Sequence, residues 1–277
     1  MRPALILAVL VVVNLMLCGC AGTQDAGGGN PAAARVSLHV PCGAGLQPAM
    51  DELGRVYFER TGVRVDFSYA GAGMLLSVLM TTRRGDLYIP GEAFYVDQAR
   101  EHGFIAEDAP MCYMVPVIGV RKGNPKGITC LHDLARPGLR VALGDPKAIA
   151  IGPMTDRILE RAGLSEAVER QVHMRAACVP ELANALATRS ADVGIIWDVM
   201  AFQSEKHIDS IPIPPEYNEA SEVLVSRLTC SQQPEEARRF MAFLLSEEAA
   251  AIFHKHGYAT ERPVGIRLAP REKVGES

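Results

Sequence analysis

Twice early in its length this chain runs a β-like segment into Gly-Ala-Gly and then straight into a helix. Val36 to Val40 leads through Pro41-Cys42 into Gly43-Ala44-Gly45. The helix that follows places Met50, Leu53 and Tyr57 on one face, with Pro48 confined to its first turn. Val63, Val65, Phe67 and Tyr69 then alternate with Arg64, Asp66 and Ser68, the two-residue period of a strand. They run into Gly71-Ala72-Gly73 and a helix predicted from Met74 to Arg83. A repeated strand–turn–helix unit restricts the chain to a parallel or mixed sheet with helices on both faces.

The alternation continues. Asp86 to Pro90 predicts a third strand and Tyr95 to His102 a third helix. Tyr113 to Val120 reads as one long apolar strand, Leu139 to Leu143 as another, and Val193 to Trp197 as a buried one. Thr155 to Ala162, Leu182 to Thr188 and two segments within Pro234 to Lys255 read as helices. The strand around Tyr113-Val115-Pro116 and the proline-rich Ile211 to Pro215 look like crossings between lobes. The expected fold is therefore α/β with two lobes, each a mixed sheet flanked by helices, joined by two crossover strands. Residues 36–115 plus 214–277 would form one lobe and 116–213 the other. One doubly wound sheet is the alternative, which length alone does not exclude.

In open α/β sheets ligands lie beyond the carboxyl ends of the strands, where helices begin. Here those turns are built from small residues: Gly43-Ala44-Gly45, Gly71-Ala72-Gly73, Ala150-Ile151-Gly152 and Cys178-Val179-Pro180. They offer almost nothing but backbone. The first N–H groups of a helix have no intrahelical acceptor, each N-terminus carries about half a positive charge, and glycine lets a ligand approach closely. The expectation is an anion held by main-chain N–H groups without a counter-charge. Trp197, at the carboxyl end of a strand, adds an indole N–H, a donor that cannot accept. A core tryptophan is the competing reading.

Other chemistry fits less well. Gly43-x-Gly45-x-x-Pro48 is a partial dinucleotide fingerprint with proline where helix packing wants Gly or Ala, and Asp66 falls mid-strand. No GxSxG occurs, and Cys42 or Cys178 as nucleophile would need a histidine the sequence does not place. His254 and His256 lie two apart on a helix and point to different faces, so no metal site is expected. Cys42 and Cys178 flank the predicted turns and are candidates to line the pocket. No catalytic residue and no cofactor are expected.

The chain has 277 residues and a formal net charge of −4, which recommends neither nucleic acid nor an anionic membrane face as partner. Arg2 and the apolar run Ala4 to Leu17 read as an export signal, shorter than the roughly 20 residues of a comfortable span. The run ends in Leu17-Cys18-Gly19-Cys20, which resembles a bacterial lipobox. Residues 1–19 would be removed, Cys20 lipidated, and 20–35, with three consecutive glycines, left as a flexible tether. Five cysteines remain after Cys18 and Cys20: Cys42, Cys112, Cys130, Cys178 and Cys230. They give no readable disulfide framework.

From Val36 to about Pro263 the chain resembles the molybdate-binding family of ABC-transporter solute-binding proteins. The resemblance is carried by YAGAGMLLSVL, GDLYIPGEAFYVDQAREHG, PVIGVRKGNPKGITCLHDLARPGLRVALGDPKAIAIG, ADVGIIW and AAAIFHKHGYAT. It implies a monomeric, two-lobed type II receptor at the cell envelope. Such a receptor closes over molybdate or tungstate and delivers it to a permease powered by an ATPase. Where the family commonly places ligand-binding serines, this chain has Gly45 and Ala72, the latter followed by Gly73. Backbone contacts fall at Ala150-Ile151 and at Val179, and a position often held by tyrosine is Trp197. Three hydroxyls are thus absent, and only the last is replaced by another donor. A polyhydroxyl ligand would instead want carboxylates, for which Glu92, Glu181 and Asp198 are nearest.

Overall fold

The computed structural model describes residues 37–270. The expected signal segment 1–19, Cys20, the tether 20–35, Val36 and the last residues 271–277 lie outside the described residues.

The chain begins with β1 (Ser37–Gly43), a 3-10 turn (Ala44–Leu46) and α1 (Gln47–Thr61). Ala49, Met50, Leu53 and Tyr57 form the buried face of α1. Gly62 ends it at φ 73°, a left-handed conformation that costs glycine nothing. There follow β2 (Arg64–Ala70), α2 (Ala72–Thr82), β3 (Leu87–Tyr88), α3 (Ala93–Glu101) and β4 (Ile105–Met114). The middle of the chain supplies β5 (Pro116–Arg121), β6 (Val141–Gly144), α4 (Ile151–Arg161), α5 (Ser165–Glu169) and β7 (Val172–Ala176). It continues with α6 (Val179–Ala187), β8 (Val193–Trp197), α7 (Asp198–Gln203) and β9 (Ile208–Pro212). The chain finishes with β10 (Glu219–Leu228), α8 (Pro234–Leu244), α9 (Glu247–Lys255) and β11 (Arg267–Leu268).

Two sheet systems result, and the molecule is two-lobed. In one, β1 pairs parallel with β2, β10 pairs antiparallel with β3 and β4 and parallel with β11, and a Cys42–Ile89 bridge joins β1 to the segment after β3. The other is a five-stranded sheet in the order β7-β6-β8-β5-β9, with β5 antiparallel to both neighbours. Every residue of β8 is buried, as expected of a central strand covered on both faces.

The chain passes between the sheets after β4 and after β9. The apolar run Tyr113 to Val120 is not one strand, as its composition suggests. It divides at Val115, whose N–H leaves the ladder and donates to Asp198 Oδ1 at 3.0 Å. Asn218, on the second passage, donates its side-chain amide to the Pro116 carbonyl at 2.9 Å and so ties the two passages together. Beside them the fully buried Glu219 of β10 accepts from Arg157 and Arg161 of α4, with both Arg161 contacts at 2.8 Å. Two guanidiniums against one carboxylate satisfy a charge that would be costly to bury alone.

Four helices start earlier than hydrophobic periodicity predicts: α2 at Ala72 rather than Met74, α3 at Ala93 rather than Tyr95, α4 at Ile151 rather than Thr155, and α6 at Val179 rather than Leu182. The apolar stripe marks only where a helix packs on its sheet. The first turns carry Gly, Ala or Pro among larger residues, which breaks the periodic signal. The predicted strand Asp86 to Pro90 likewise contracts to Leu87–Tyr88, the part that β10 pairs.

Candidate functional site

The two glycines of the first turn have different work. A Cβ on Gly43 would lie 2.7 Å from the Pro90 carbonyl oxygen, so glycine is required by the approach of the segment after β3. Two hydrogen bonds fix that approach, Gly43 N–H to Ile89 O at 2.8 Å and Ile89 N–H to Pro41 O at 3.0 Å. A Cβ on Gly45, by contrast, would meet nothing within 4 Å. Gly45 faces open space, and its carbonyl is held from behind by the Tyr258 hydroxyl.

The other turns converge on that space. A cavity of about 60 Å³ is lined by Gly43 to Leu46 of the first turn and by Ala70, Gly71 and Ala72 at the start of α2. Pro90, Gly91 and Met114 complete the wall on that lobe. The five-stranded-sheet lobe contributes Ile149 and Ala150 before α4, Cys178 and Val179 at the start of α6, and Trp197 at the end of β8. The lobes meet closely here, since a Cβ on Gly71 would lie 3.5 Å from the Ala148 carbonyl oxygen. None of the helix starts that reach the cavity has a side-chain cap: Gly43, Gly71, Ala150 and Cys178 all stand at N-cap positions without one. The Gly152 N–H in α4 is taken by the Ile149 carbonyl at 3.0 Å, and Pro153 and Pro180 carry no N–H; the other first-turn N–H groups have no intrahelical acceptor.

Among the described residues the lining contains no lysine, arginine, histidine or carboxylate. Charge selectivity would come from backbone dipoles in a low-dielectric enclosure. Its volume is well below the roughly 300–1,000 Å³ usual for organic ligands. A cavity needs about 10–15 Å³ to hold one water, so this one suits a few waters or a single compact ion.

Of the residues singled out from sequence, the fold brings Gly45, Ala72, Ala150, Val179, Trp197 and Cys178 to this cavity. Trp197 is only 2% exposed, so it is at once a core residue and a wall of the site. Three fall outside the lining. Gly73 packs near the Tyr95 hydroxyl, 3.7 Å from where its Cβ would stand. Ile151 begins α4 with its side chain fully buried. Cys42 points the other way, buried within the first lobe with its thiol against the Gly43 carbonyl at 3.7 Å. Strand alternation explains the last: next to a lining glycine, Cys42 takes the opposite face. Burial pushes its thiol well above the ordinary range, helped by neighbouring Cys112. All five described cysteines are free thiols, with Cys178 exposed.

Sequence reasoning missed Met114, Pro90, Gly91 and Tyr258. The first three reach the cavity through long-range pairing, for which no local pattern exists. Tyr258 lay in a quoted motif, but its grip on Gly45 depends on the return of the chain after α9.

The three carboxylates considered for a polyhydroxyl ligand do not line this cavity. Asp198 accepts from Val115 N–H at 3.0 Å and Val199 N–H at 2.8 Å. Burial outweighs those bonds and lifts its carboxyl to about 6. Glu181 accepts from Ala177 N–H at 2.8 Å and so shapes the turn before α6. Glu92 stands one residue beyond Gly91, in a separate, larger cavity.

Known binding proteins resemble most of this chain. The chain is 27% identical to a binding protein of Haemophilus influenzae over 221 residues, covering 80% of this chain and 90% of the relative. It is 25% identical to the molybdate-binding protein ModA of Mycobacterium tuberculosis over 257 residues, covering 92% and 96%. The solved periplasmic molybdate-binding protein of Azotobacter vinelandii superposes with a TM-score of 0.71 at 18% identity. That match covers 81% of this chain and all (100%) of that one, and it establishes likeness of fold. The model of the bacterial extracellular solute-binding protein family matches residues 38–259, nearly the whole described chain, and the chain belongs to that family.

Proposed function

We propose that this protein is the solute-binding component of an ABC import system and captures a tetrahedral oxyanion between its two lobes, with molybdate and tungstate the first ligands to test. The observation that carries the reading is the convergence of four uncapped helix starts on one small cavity that has no cationic side chain. Gly45, Ala72, Gly73, Ala150, Ile151 and Val179 supply or border the main-chain donors, and Trp197 supplies an indole N–H. The relatives named for molybdate support the ligand class. The protein performs no chemistry. Its output is closure of lobe 116–213 onto lobe 36–115 plus 214–277, read by a permease. Export through segment 1–19 and lipidation at Cys20 would hold it at the envelope on the tether 20–35, working as a monomer.

Trp197 is the one tryptophan of the chain, so its fluorescence reports on the cavity alone. Titration with molybdate, tungstate, sulfate and phosphate is expected to give a saturable change with at least one of them. Trp197→Phe, assayed by calorimetry, should weaken that ligand about tenfold, as expected for one hydrogen bond to an anion. No response to any of the four would reject the oxyanion reading.

A further inference from the structure

Next to the anion cavity lies a second one of about 340 Å³, within the range of small organic ligands. It is lined by Glu92, Tyr95, Lys147, Arg157 and Ser221, among others. The two are close neighbours. Ala150 belongs to both linings, Gly91 faces the small cavity while Glu92 faces the large one, and the Tyr95 hydroxyl lies against Gly73 at the start of α2.

Two polar groups of the larger cavity are already engaged. Arg157 is bound to Glu219, with its Nε at 2.8 Å, and the Ser221 hydroxyl donates to the Gly91 carbonyl at 3.2 Å. Glu92 differs. Among the described residues its carboxyl has no hydrogen-bond partner. Burial pushes it up to about 8, Arg157 opposing the shift and Glu219 adding to it. Glu92 is partly buried, and a carboxyl without a hydrogen-bond partner gains from a cationic donor.

We propose that the anion captured by this receptor carries a short amine-bearing organic tail, its oxygens in the small cavity and its amine against Glu92 in the larger one. This rests on the oxyanion reading above and narrows its ligand class. A bare anion occupies the small cavity alone, whereas a tailed one fills both. It also accounts for the absence of hydroxyl side chains around the anion, because the tail supplies a second anchor.

The test is calorimetric titration of the full chain with molybdate, inorganic phosphate, glycerol 1-phosphate and O-phosphoethanolamine. The amine ester is expected to bind at least about tenfold more tightly than phosphate and more tightly than the hydroxyl ester. Glu92→Gln should remove the preference of amine over hydroxyl tail. If that variant does not fold, the comparison of the two esters on the wild-type chain decides. Binding of molybdate or phosphate with no gain from either tail would overturn the tail and leave the oxyanion reading standing. A gain that survives Glu92→Gln would overturn the role of Glu92. Failure of all four ligands would remove the oxyanion reading, and this inference with it.

Discussion

Gly45 is where a single side chain would change the binding chemistry most simply. Its position is open, no left-handed backbone conformation is recorded for it, and its neighbours leave room for a Cβ. Gly45→Ser is therefore expected to fold normally and to bind the anion about tenfold more tightly, by adding one hydroxyl donor; calorimetry of the variant beside wild type checks it. The residue types at the turns were legible in the sequence because Gly-Ala-Gly without a charged partner has few uses at a helix start. Which glycine serves packing and which faces the open cavity was not legible, since that depends on Pro90 lying against Gly43. Asp198 makes a second residue-level prediction. Its folded-state carboxyl lies at about 6, above the ordinary 3.8, so the native state holds its proton more firmly than the unfolded chain. The stability from that proton is fully present below about pH 4 and is lost as pH rises through about 6. Asp198→Asn keeps an acceptor for Val115 and Val199 N–H and removes the charge. Its melting curves should lack this loss and gain on the order of 1–2 kcal/mol over wild type at pH 7.

At the scale of elements, α4 shows how tightly the cavity depends on a helix start. Gly152, in its first turn, would place a Cβ 2.6 Å from the Asp145 carbonyl and from Pro146 Cα, both backbone. Gly152→Ala should push α4 away from the loop that carries Ala150, costing about 1–3 kcal/mol in denaturant midpoint and weakening anion binding in parallel. The same helix shows the limit of pattern reading. Thr155 onward was visible from its apolar stripe and Ala150-Ile151-Gly152 from its small residues, but that the helix already begins at Ile151 was not. β10 left a weaker trace still. Glu219, Ser221 and Ser226 interrupt its apolar run, yet all three are buried, and Glu219 is explained only by two arginines some sixty positions away.

For the whole molecule, the alternation of strands and helices was enough to suggest two lobes, and the proline-marked crossings fell where the chain changes sheets. What the sequence left hidden was that one strand-like run serves both sheets, parting at Val115 under the hold of Asp198. The passages, tied by Asn218 and flanked by the Arg157–Glu219–Arg161 cluster, let the lobes be held together at one side while the amide-lined cavity lies between them. The account depends on that cavity holding an anion through the main chain. The most direct measurement is a crystal structure of the full chain grown with tungstate, its tungsten located by anomalous scattering. The expected result is one tungsten between Gly45, Ala72, Ala150 and Val179, its oxygens within hydrogen-bond distance of backbone N–H groups and of the Trp197 indole. A tungsten bound only at surface lysines or arginines, with the cavity holding water alone, would contradict it.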